Sequence, residues 1–161
     1  MPDAGIGERF IERVYTMTMV EYSAVLEGDA EQVWSVLKKF GEIDKWHPSI
    51  VSSEIEGGMP DGLTGCIRRL FLADGAGVRE RLLSVDDRGL TLSYRFEEAP
   101  LPLDNYVATV RLVALTDCSQ TLVTWSASFD LQQPNTAEHY QALIRSLIVE
   151  GHKGLQALLV E

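Results

Sequence analysis

Length, composition and charge limit the classes of protein to which this chain can belong. Its 161 residues, 45% of them hydrophobic, predict a single globular domain with a substantial core. The formal net charge of −10 disfavours nucleic acid and anionic membrane surfaces as partners, because both would repel the chain. Cys66 and Cys118 are too few for a disulfide framework, so we expect free thiols. With no signal-peptide pattern and no apolar run near the roughly 18–20 residues of a membrane span, we expect a soluble cytoplasmic protein.

A strand followed by short helices is predicted for the first part of the chain. Residues 16–26 are rich in β-branched and aromatic side chains, which favours a strand. Residues 29–40 change to helical spacing, and Asp29 with Gln32 three residues later is typical of a helix start. Residues 42–47 favour one further short turn of helix.

The middle and the end of the chain predict about six strands and one long helix. The strands are short and are separated by turns, which is typical of an antiparallel meander. Residues 135–161 return to helical spacing with an apolar stripe, and Asn135 or Thr136 can cap this helix. Gly151 and Gly154 inside it indicate a kink, close packing, or a wider cavity entrance.

These elements predict an α+β fold with the element order β-α-α-β6-α. A curved antiparallel sheet of about seven strands would wrap around the C-terminal helix, because the apolar stripe of that helix must be buried on one sheet face. The curvature would leave an internal cavity between sheet and helix, a natural place for a small molecule. We expect this domain to span residues 16–161, after an N-terminal extension over residues 1–15.

Alternation along the predicted strands separates an inner face from an outer face. If Glu80 points inward, Val78 and Leu82 do the same, while Arg79 and Arg81 face outward. The other strands each show a mostly apolar inner face, with Leu92, Tyr94, Phe96, Tyr106, Ala108, Val110, Trp125, Ala127 and Phe129 as members.

Glu80 is the polar exception on the predicted inner face. A buried carboxylate is costly unless it is paired, hydrated or protonated, and such an environment suits acid–base chemistry or ligand binding. An exposed glutamate, or one paired with Arg68 or Arg111, is the alternative. Glu80 is also the residue that we name as a candidate catalytic group.

Other motifs give no indication of a cofactor. The stretch FLADGAGVRE at 71–80 joins two strands and lacks the spacing and the lysine of a phosphate-binding loop, so we interpret it as a turn. The histidines and cysteines lack metal-ligand spacing, and no nucleophile motif is present. We expect no metal and no cofactor. His47 we interpret as a local cap or surface group, with ligand contact at a cavity mouth as the alternative.

Five short motifs stand out along the chain: W..L..FG.IDKWHP at 34–48, G.IRRL at 65–70, ERLLSVDD at 80–87, YRFEEAPLPLDNY at 94–106 and LQALL at 155–159. They resemble motifs of the START and birch-pollen-allergen superfamily, the helix-grip proteins. Within that superfamily the chain is most similar to polyketide cyclase/dehydrase-type bacterial proteins, and it shares motifs with plant abscisic acid receptors. The resemblance implies the helix-grip fold, which hosts lipid carriers, hormone receptors and cyclases.

The resemblance to the receptors also implies which parts of the chain surround the cavity. Segments 73–77 and 99–103 match the gate and latch loops that flank the receptors' entrance. Glu80 matches a glutamate that reaches the ligand through water, and Tyr94 and Tyr106 match aromatic residues of the pocket.

Val51 marks a departure from the receptors. It stands where they place the lysine that pairs with the hormone's carboxylate, so an acidic ligand held in that way is not expected. The full set of predicted ligand-binding residues is Val51, Leu70, Leu72, Glu80, Leu82, Tyr94, Phe96, Tyr106, Ala108, Trp125, Ala127 and Leu147.

The leading functional hypothesis is binding of a mainly apolar small molecule, such as a lipid, a polyketide or an isoprenoid-like compound. The alternative is a cyclase, aromatase or dehydratase that uses Glu80 and a tyrosine as acid and base. A third hypothesis is that the loops at 73–77 and 99–103 present a surface to a partner protein.

Overall fold

The computed structural model describes residues 17–160. The predicted N-terminal extension over residues 1–15 lies outside the described residues. Within the described residues, the two α-helices are α1 (Ala30–Leu37) and α2 (Ala137–Leu159), and 3₁₀ turns cover Phe40–Lys45 and Glu56–Gly58. The strands are β1 (Thr18–Glu27), β2 (Ile50–Ile55), β3 (Ile67–Leu72), β4 (Gly77–Asp86), β5 (Thr91–Glu98), β6 (Leu103–Leu115) and β7 (Gln120–Leu131).

The seven strands found in residues 17–160 form one antiparallel sheet in the order β1-β7-β6-β5-β4-β3-β2. Because β2 to β7 follow one another as a meander, only β1 has a partner that is distant in the chain. The apolar stripe of α2 packs against the sheet, as the amphipathic pattern requires. This confirms the predicted α+β helix-grip class. Within residues 17–160, no helix is both long and apolar enough to cross a membrane.

Helix α1 begins where the sequence predicts. The Asp29 carboxylate accepts a hydrogen bond from the backbone N–H of Gln32 at 2.8 Å, which satisfies one of the free donors of the first turn. Val33, Trp34 and Leu37 bury its apolar face. The helix ends at Leu37, earlier than predicted, and the chain continues into the 3₁₀ turn that precedes β2.

The start of α2 differs in detail from the prediction. Thr136 occupies the N-cap position, but its side chain makes no capping bond. Its hydroxyl instead donates to the carbonyl oxygen of Gln133 at 2.8 Å.

Two glycines let α2 approach its neighbours closely. A Cβ atom at Gly151 would lie 2.6 Å from Cζ3 of Trp125, and one at Gly154 would lie 1.9 Å from the carbonyl oxygen of Trp46. Both distances are far below van der Waals contact, so any larger residue would push the helix away. Since α2 is continuous from Ala137 to Leu159, the two glycines serve close packing of this helix, which is one of the predicted alternatives.

Glutamine side chains attach α2 to the edge strand β1. Gln141 Nε2 donates to the carbonyl oxygen of Met19 at 3.1 Å. Near the other end of the strand, Gln156 Oε1 accepts from the backbone N–H of Glu27 at 2.9 Å. These bonds occupy backbone groups that an edge strand would otherwise leave unpaired.

The outer face of β3 to β5 has a set of ion pairs. Arg81 donates to both carboxylate oxygens of Glu97, at 2.9 and 3.0 Å, and Arg79 contacts Glu56 in the same bidentate way at 2.7 and 2.9 Å. Both arginines therefore face outward, as alternation predicts.

Candidate ligand-binding cavity

A cavity of about 380 Å³ lies between the sheet and α2. Its volume falls within the usual range for small-molecule sites. Most of the residues around it are apolar. The lining comprises Ile43, His47, Ile50, Arg68, Leu70, Leu72, Asp74, Ala76, Val78, Glu80, Tyr94, Phe96, Pro100, Leu101, Tyr106, Trp125, Leu143, Ile144, Leu147 and Ile148.

A buried ion pair stands in this apolar wall. Arg68 and Glu80 are opposite each other in the β3–β4 register, and Arg68 Nε donates to Glu80 Oε1 at 2.8 Å. Their side chains are 5% and 8% exposed. Glu80 does point inward, but it is not the only charged group there. The pairing with Arg68 that the sequence left as an alternative is therefore present.

The Arg68 guanidinium is held on several sides. Its Nη1 donates to the carbonyl oxygen of Phe40 at 3.1 Å, and its central carbon lies 3.9 Å from the centre of the Phe40 ring. The Tyr94 ring is 4.6 Å away. Aromatic faces attract cations, which offsets part of the desolvation of this buried charge. Nη2 takes part in none of these hydrogen bonds.

Two tyrosines at the cavity wall stay protonated at neutral pH. Burial, with the charge of Glu80 as the second cause, raises the pKa of Tyr94 well above its usual value. Burial likewise raises the pKa of Tyr106. Both phenols are therefore neutral hydroxyl groups that can donate a hydrogen bond to a bound molecule.

A bulge in β6 directs Tyr106 inward. The register shifts between Asp104 and Val107, and Asn105 has a φ of 54°, a left-handed conformation that asparagine tolerates better than most residues. Asn105 Nδ2 donates to Asp130 Oδ2 at 2.8 Å, which fixes the bulge to β7. The Tyr106 ring then stacks on Phe96 with 3.7 Å between the ring centres.

His47 is buried, contrary to the interpretation of a surface group. It is 4% exposed and lines the cavity. Its Nδ1 accepts from the backbone N–H of Ser49, which assigns the proton to Nε2, and Nε2 donates to the carbonyl oxygen of Leu147 on α2 at 2.8 Å. Burial lowers the pKa of this imidazole. His47 is thus a neutral link between the end of the 3₁₀ turn and α2.

Eight of the twelve predicted ligand-binding residues lie at the cavity wall: Leu70, Leu72, Glu80, Tyr94, Phe96, Tyr106, Trp125 and Leu147. Residues from both predicted entrance loops also line it, namely Asp74 and Ala76 in 73–77 and Pro100 and Leu101 in 99–103.

Four predicted residues do not line the cavity. Val51 is 66% exposed, because the register of β2 shifts between Ile50 and Ser52 and turns its side chain outward, while Ile50 faces the cavity. Leu82, Ala108 and Ala127 do face inward, but they are at most 1% exposed and are covered by neighbouring core residues.

Arg68 is the most important cavity-lining residue outside the predicted ligand-binding set, although it was a candidate partner of Glu80. The sequence contains a signal for this, because Arg68, Leu70 and Leu72 occupy alternate positions of β3 and so face the same side of the sheet. The two leucines were predicted to face inward. Arginine is nevertheless rarely buried, so its type alone favours the surface. Four lining residues of α2 and the 3₁₀ turn, Ile43, Leu143, Ile144 and Ile148, were also not predicted as site residues.

Comparison with known proteins identifies the family. The profile of a family described as polyketide cyclase / dehydrase and lipid transport matches residues 17–160. The abscisic acid receptor PYL7 of Arabidopsis thaliana is 28% identical over 142 residues, which is 85% of this chain and 64% of the receptor. The chain therefore spans slightly less than two thirds of that relative.

Solved structures share the fold over most of their length. The protein XoxI from Bacillus cereus has 29% identity and a TM-score of 0.78, with 89% of this chain and 96% of XoxI covered. The ZhuI aromatase/cyclase from Streptomyces sp. R1128 has 18% identity and a TM-score of 0.77, covering 89% and 94%. A START superfamily protein from Mycobacterium smegmatis has 16% identity and a TM-score of 0.74, covering 88% and 97%.

The two structures of lower identity show the fold alone, whereas the profile match extends over nearly the whole chain. The resemblance stated from the sequence motifs is thereby confirmed. The chain belongs to the polyketide cyclase / dehydrase and lipid transport family.

Proposed function

We propose that this protein binds a mainly apolar small molecule in the cavity between the sheet and α2. The observation that supports this most directly is the cavity itself, about 380 Å³ with a largely apolar wall and one compensated ion pair. An apolar molecule in that space removes apolar surface from water at roughly 25 cal/mol per Å². The family's description, which includes both polyketide enzymes and lipid transport, is in keeping with such a ligand.

In this proposal the polar residues of the wall orient the ligand. The hydroxyls of Tyr94 and Tyr106 and the Nη2 group of Arg68 are donors, while Glu80 Oε2 is an acceptor that the bond to Arg68 Nε leaves unused. The loops at 73–77 and 99–103 would flank the entrance.

Cavity filling tests the proposal. Val78 lines the cavity, so Val78→Phe should occupy the ligand's space, whereas Val51→Phe changes an exposed residue of the same type. We expect N-phenyl-1-naphthylamine, a neutral apolar fluorophore, to bind the unmodified protein saturably and the Val51→Phe variant equally well. Its affinity for Val78→Phe should fall at least about tenfold, the effect of losing about 1.4 kcal/mol. Equal binding by both variants contradicts the proposal.

Native mass spectrometry of the protein purified from its own host identifies the natural ligand. We expect a retained small molecule in the unmodified protein that is absent from Val78→Phe. A mass retained by both variants would show that the molecule binds elsewhere.

An enzyme of the cyclase or dehydratase kind is the second candidate. Glu80 is a carboxylate in a water-poor wall, and Tyr94 is a neutral hydroxyl beside it, which together offer a base and an oxyanion donor. In this reaction, Glu80 would take a proton from a methylene group between two ketones, and the enolate oxygen would accept a hydrogen bond from Tyr94. Glu80→Gln should abolish turnover of a linear poly-β-ketone while leaving its binding measurable. Turnover that survives this substitution rules out Glu80 as the base.

A further inference from the structure

His47 is a buried titratable residue whose two ring nitrogens have opposite roles. Nε2 donates a hydrogen bond to the carbonyl oxygen of Leu147 on α2 at 2.8 Å, and Nδ1 accepts one from the backbone N–H of Ser49 at 3.2 Å. A neutral imidazole satisfies both bonds, because it has one donor and one acceptor. A second proton would bind to Nδ1 and face the Ser49 N–H. The charged form of His47 would therefore leave two donors pointing at each other.

The other buried histidine does not have this conflict. His152 is 3% exposed, and its Nδ1 and Nε2 lie 3.0 and 3.1 Å from the carbonyl oxygens of Ile148 and Val123. Both nitrogens face acceptors, so a second proton would find a hydrogen-bond partner there. Of these two histidines, His47 lines the cavity and His152 does not. His47 is thus the histidine at which a proton can affect the cavity.

The charged groups around His47 do not compensate a positive imidazole. Burial lowers its pKa, and the Arg68 guanidinium on β3 acts in the same direction. The carbonyl that accepts from Nε2 and the carboxylate of Glu150 on α2 oppose this shift without reversing it. Glu80 on the same wall is already paired with Arg68 at 2.8 Å, and Asp74 lines the cavity from the entrance loop at 73–77. A proton on His47 would therefore add a buried charge without a counter-charge of its own.

His47 also joins two parts of the cavity wall. Its backbone carbonyl accepts a hydrogen bond from the N–H of Ile50 at 3.1 Å, while its side chain binds Leu147, and both of these residues line the cavity. A Cβ atom at Gly151 would lie 3.2 Å from His47 Cδ2, so the ring packs tightly against α2. Protonation of His47 would consequently weaken the contact between α2 and the start of β2.

We propose that His47 couples ligand binding to pH: the cavity retains its ligand while this imidazole is neutral and releases it when Nδ1 takes up a proton from water. The inference rests on the proposed binding function and adds its regulation. An apolar molecule beside His47 excludes water from the ring, which makes the charged form less favourable still. By thermodynamic reciprocity, the proton lowers the affinity for the ligand by the same factor.

Proton titration of the unmodified protein tests this coupling directly. Imidazole ¹H–¹⁵N spectra follow the three histidines, and the His47→Gln variant assigns the signals of His47. We expect saturating N-phenyl-1-naphthylamine, which stays uncharged between pH 8 and 5, to move the titration midpoint of His47 to lower pH. A displacement of one pH unit corresponds to about a tenfold difference in affinity. A midpoint that stays in place or rises overturns the inference, and so does a ligand-free His47 that takes up no proton down to pH 5.

The affinity of the same probe, measured against pH, is a second test. For each variant the affinity at pH 5 is divided by that at pH 8, which cancels general losses of packing. In the unmodified protein we expect a fall of at most about tenfold per pH unit. In His47→Gln the ratio should stay near unity, because the amide can still donate to Leu147 but does not titrate. His152→Gln is the matched control and should keep the fall, since His152 is buried outside the cavity lining.

Far-UV circular dichroism separates ligand release from unfolding. We expect the ligand-free chain to stay folded at pH 5 and the probe to bind again on return to pH 8. Probe loss that coincides with unfolding, or an equal fall in His47→Gln and the unmodified protein, overturns the role of His47. Equal binding at both pH values overturns the inference but leaves the proposed function standing. A probe that binds at no pH contradicts the proposed function, and the inference falls with it.

Discussion

The two faces of the β3–β4 region use the same residue types for different purposes. On the outer face, Arg81 pairs with Glu97 at side-chain exposures of 32% and 23%. On the inner face, Arg68 pairs with Glu80 at 5% and 8%. Water screens the outer pair and can replace either partner, whereas each inner partner depends on the other. The same arginine–glutamate chemistry is thus largely dispensable on one side of the sheet and obligatory on the other.

Removal of one inner partner should have the largest effect on stability. Glu80→Ala leaves the Arg68 guanidinium buried without its carboxylate, and we expect a loss of about 3 kcal/mol in the free energy of unfolding. Urea denaturation of the variant and the unmodified protein measures this difference. A loss below about 1 kcal/mol would show that water in the cavity compensates the arginine.

Removal of both inner partners should restore most of that loss. In Arg68→Met with Glu80→Leu, no charge is left unpaired and the apolar volume is roughly retained, so we expect stability to return to within about 1 kcal/mol of the unmodified protein. If the double variant is as unstable as Glu80→Ala, the bond to the Phe40 carbonyl matters more than charge compensation.

The pH dependence of stability should report the buried state of His47. Burial lowers the pKa of this imidazole in the folded protein, while the unfolded chain binds its proton near pH 6.5. The contribution of the neutral, buried imidazole to the free energy of unfolding is therefore fully present above pH 6.5. It is lost as the pH falls toward the lowered pKa, by at most about 1.4 kcal/mol per pH unit. Unfolding measured from pH 7.5 to 5 should show a shallower slope for His47→Gln. An identical slope would mean that His47 takes up its proton without unfolding.

Loss of an outer ion pair should have the smallest effect. Glu97→Gln removes the carboxylate that Arg81 and Arg95 contact, yet all three side chains reach water. We expect a destabilisation that is a small fraction of the loss for Glu80→Ala and that disappears in 1 M salt. A loss comparable to that for Glu80→Ala would remove the distinction between the two faces.

Much of the fold follows from the sequence because local patterns and global packing agree here. The change from alternation to helical spacing located α1, α2 and the strands, and Asp29 and Gln32 marked a helix start that the hydrogen bond confirms. Glu80 could be placed on the inner face, since side chains alternate regularly between the two faces of the sheet in that part of β4.

The rest of the site could not be predicted because it depends on irregularities and on distant contacts. Val51 faces outward because the register of β2 shifts beside it, and regular alternation along the sequence cannot reveal such a shift. His47 is buried because α2, a hundred residues later, brings the Leu147 carbonyl to it. Arg68 faces inward as alternation along β3 requires, but only the pairing of β3 with β4 shows that the carboxylate of Glu80 neutralises its charge.

The pairing of β1 with β7 has a consequence for how the protein folds. Thr18 is opposite Phe129, and Glu27 is opposite Gln120, so the first described strand has no partner until β7 has left the ribosome. The meander from β2 to β7 can form step by step from neighbouring segments, but β1 must then be recovered across about a hundred residues. We expect capture of β1, followed by docking of α2 along it, to be the slow event of folding. A nascent chain that stops before β7 would expose an unpaired strand, which makes this the stage most vulnerable to aggregation.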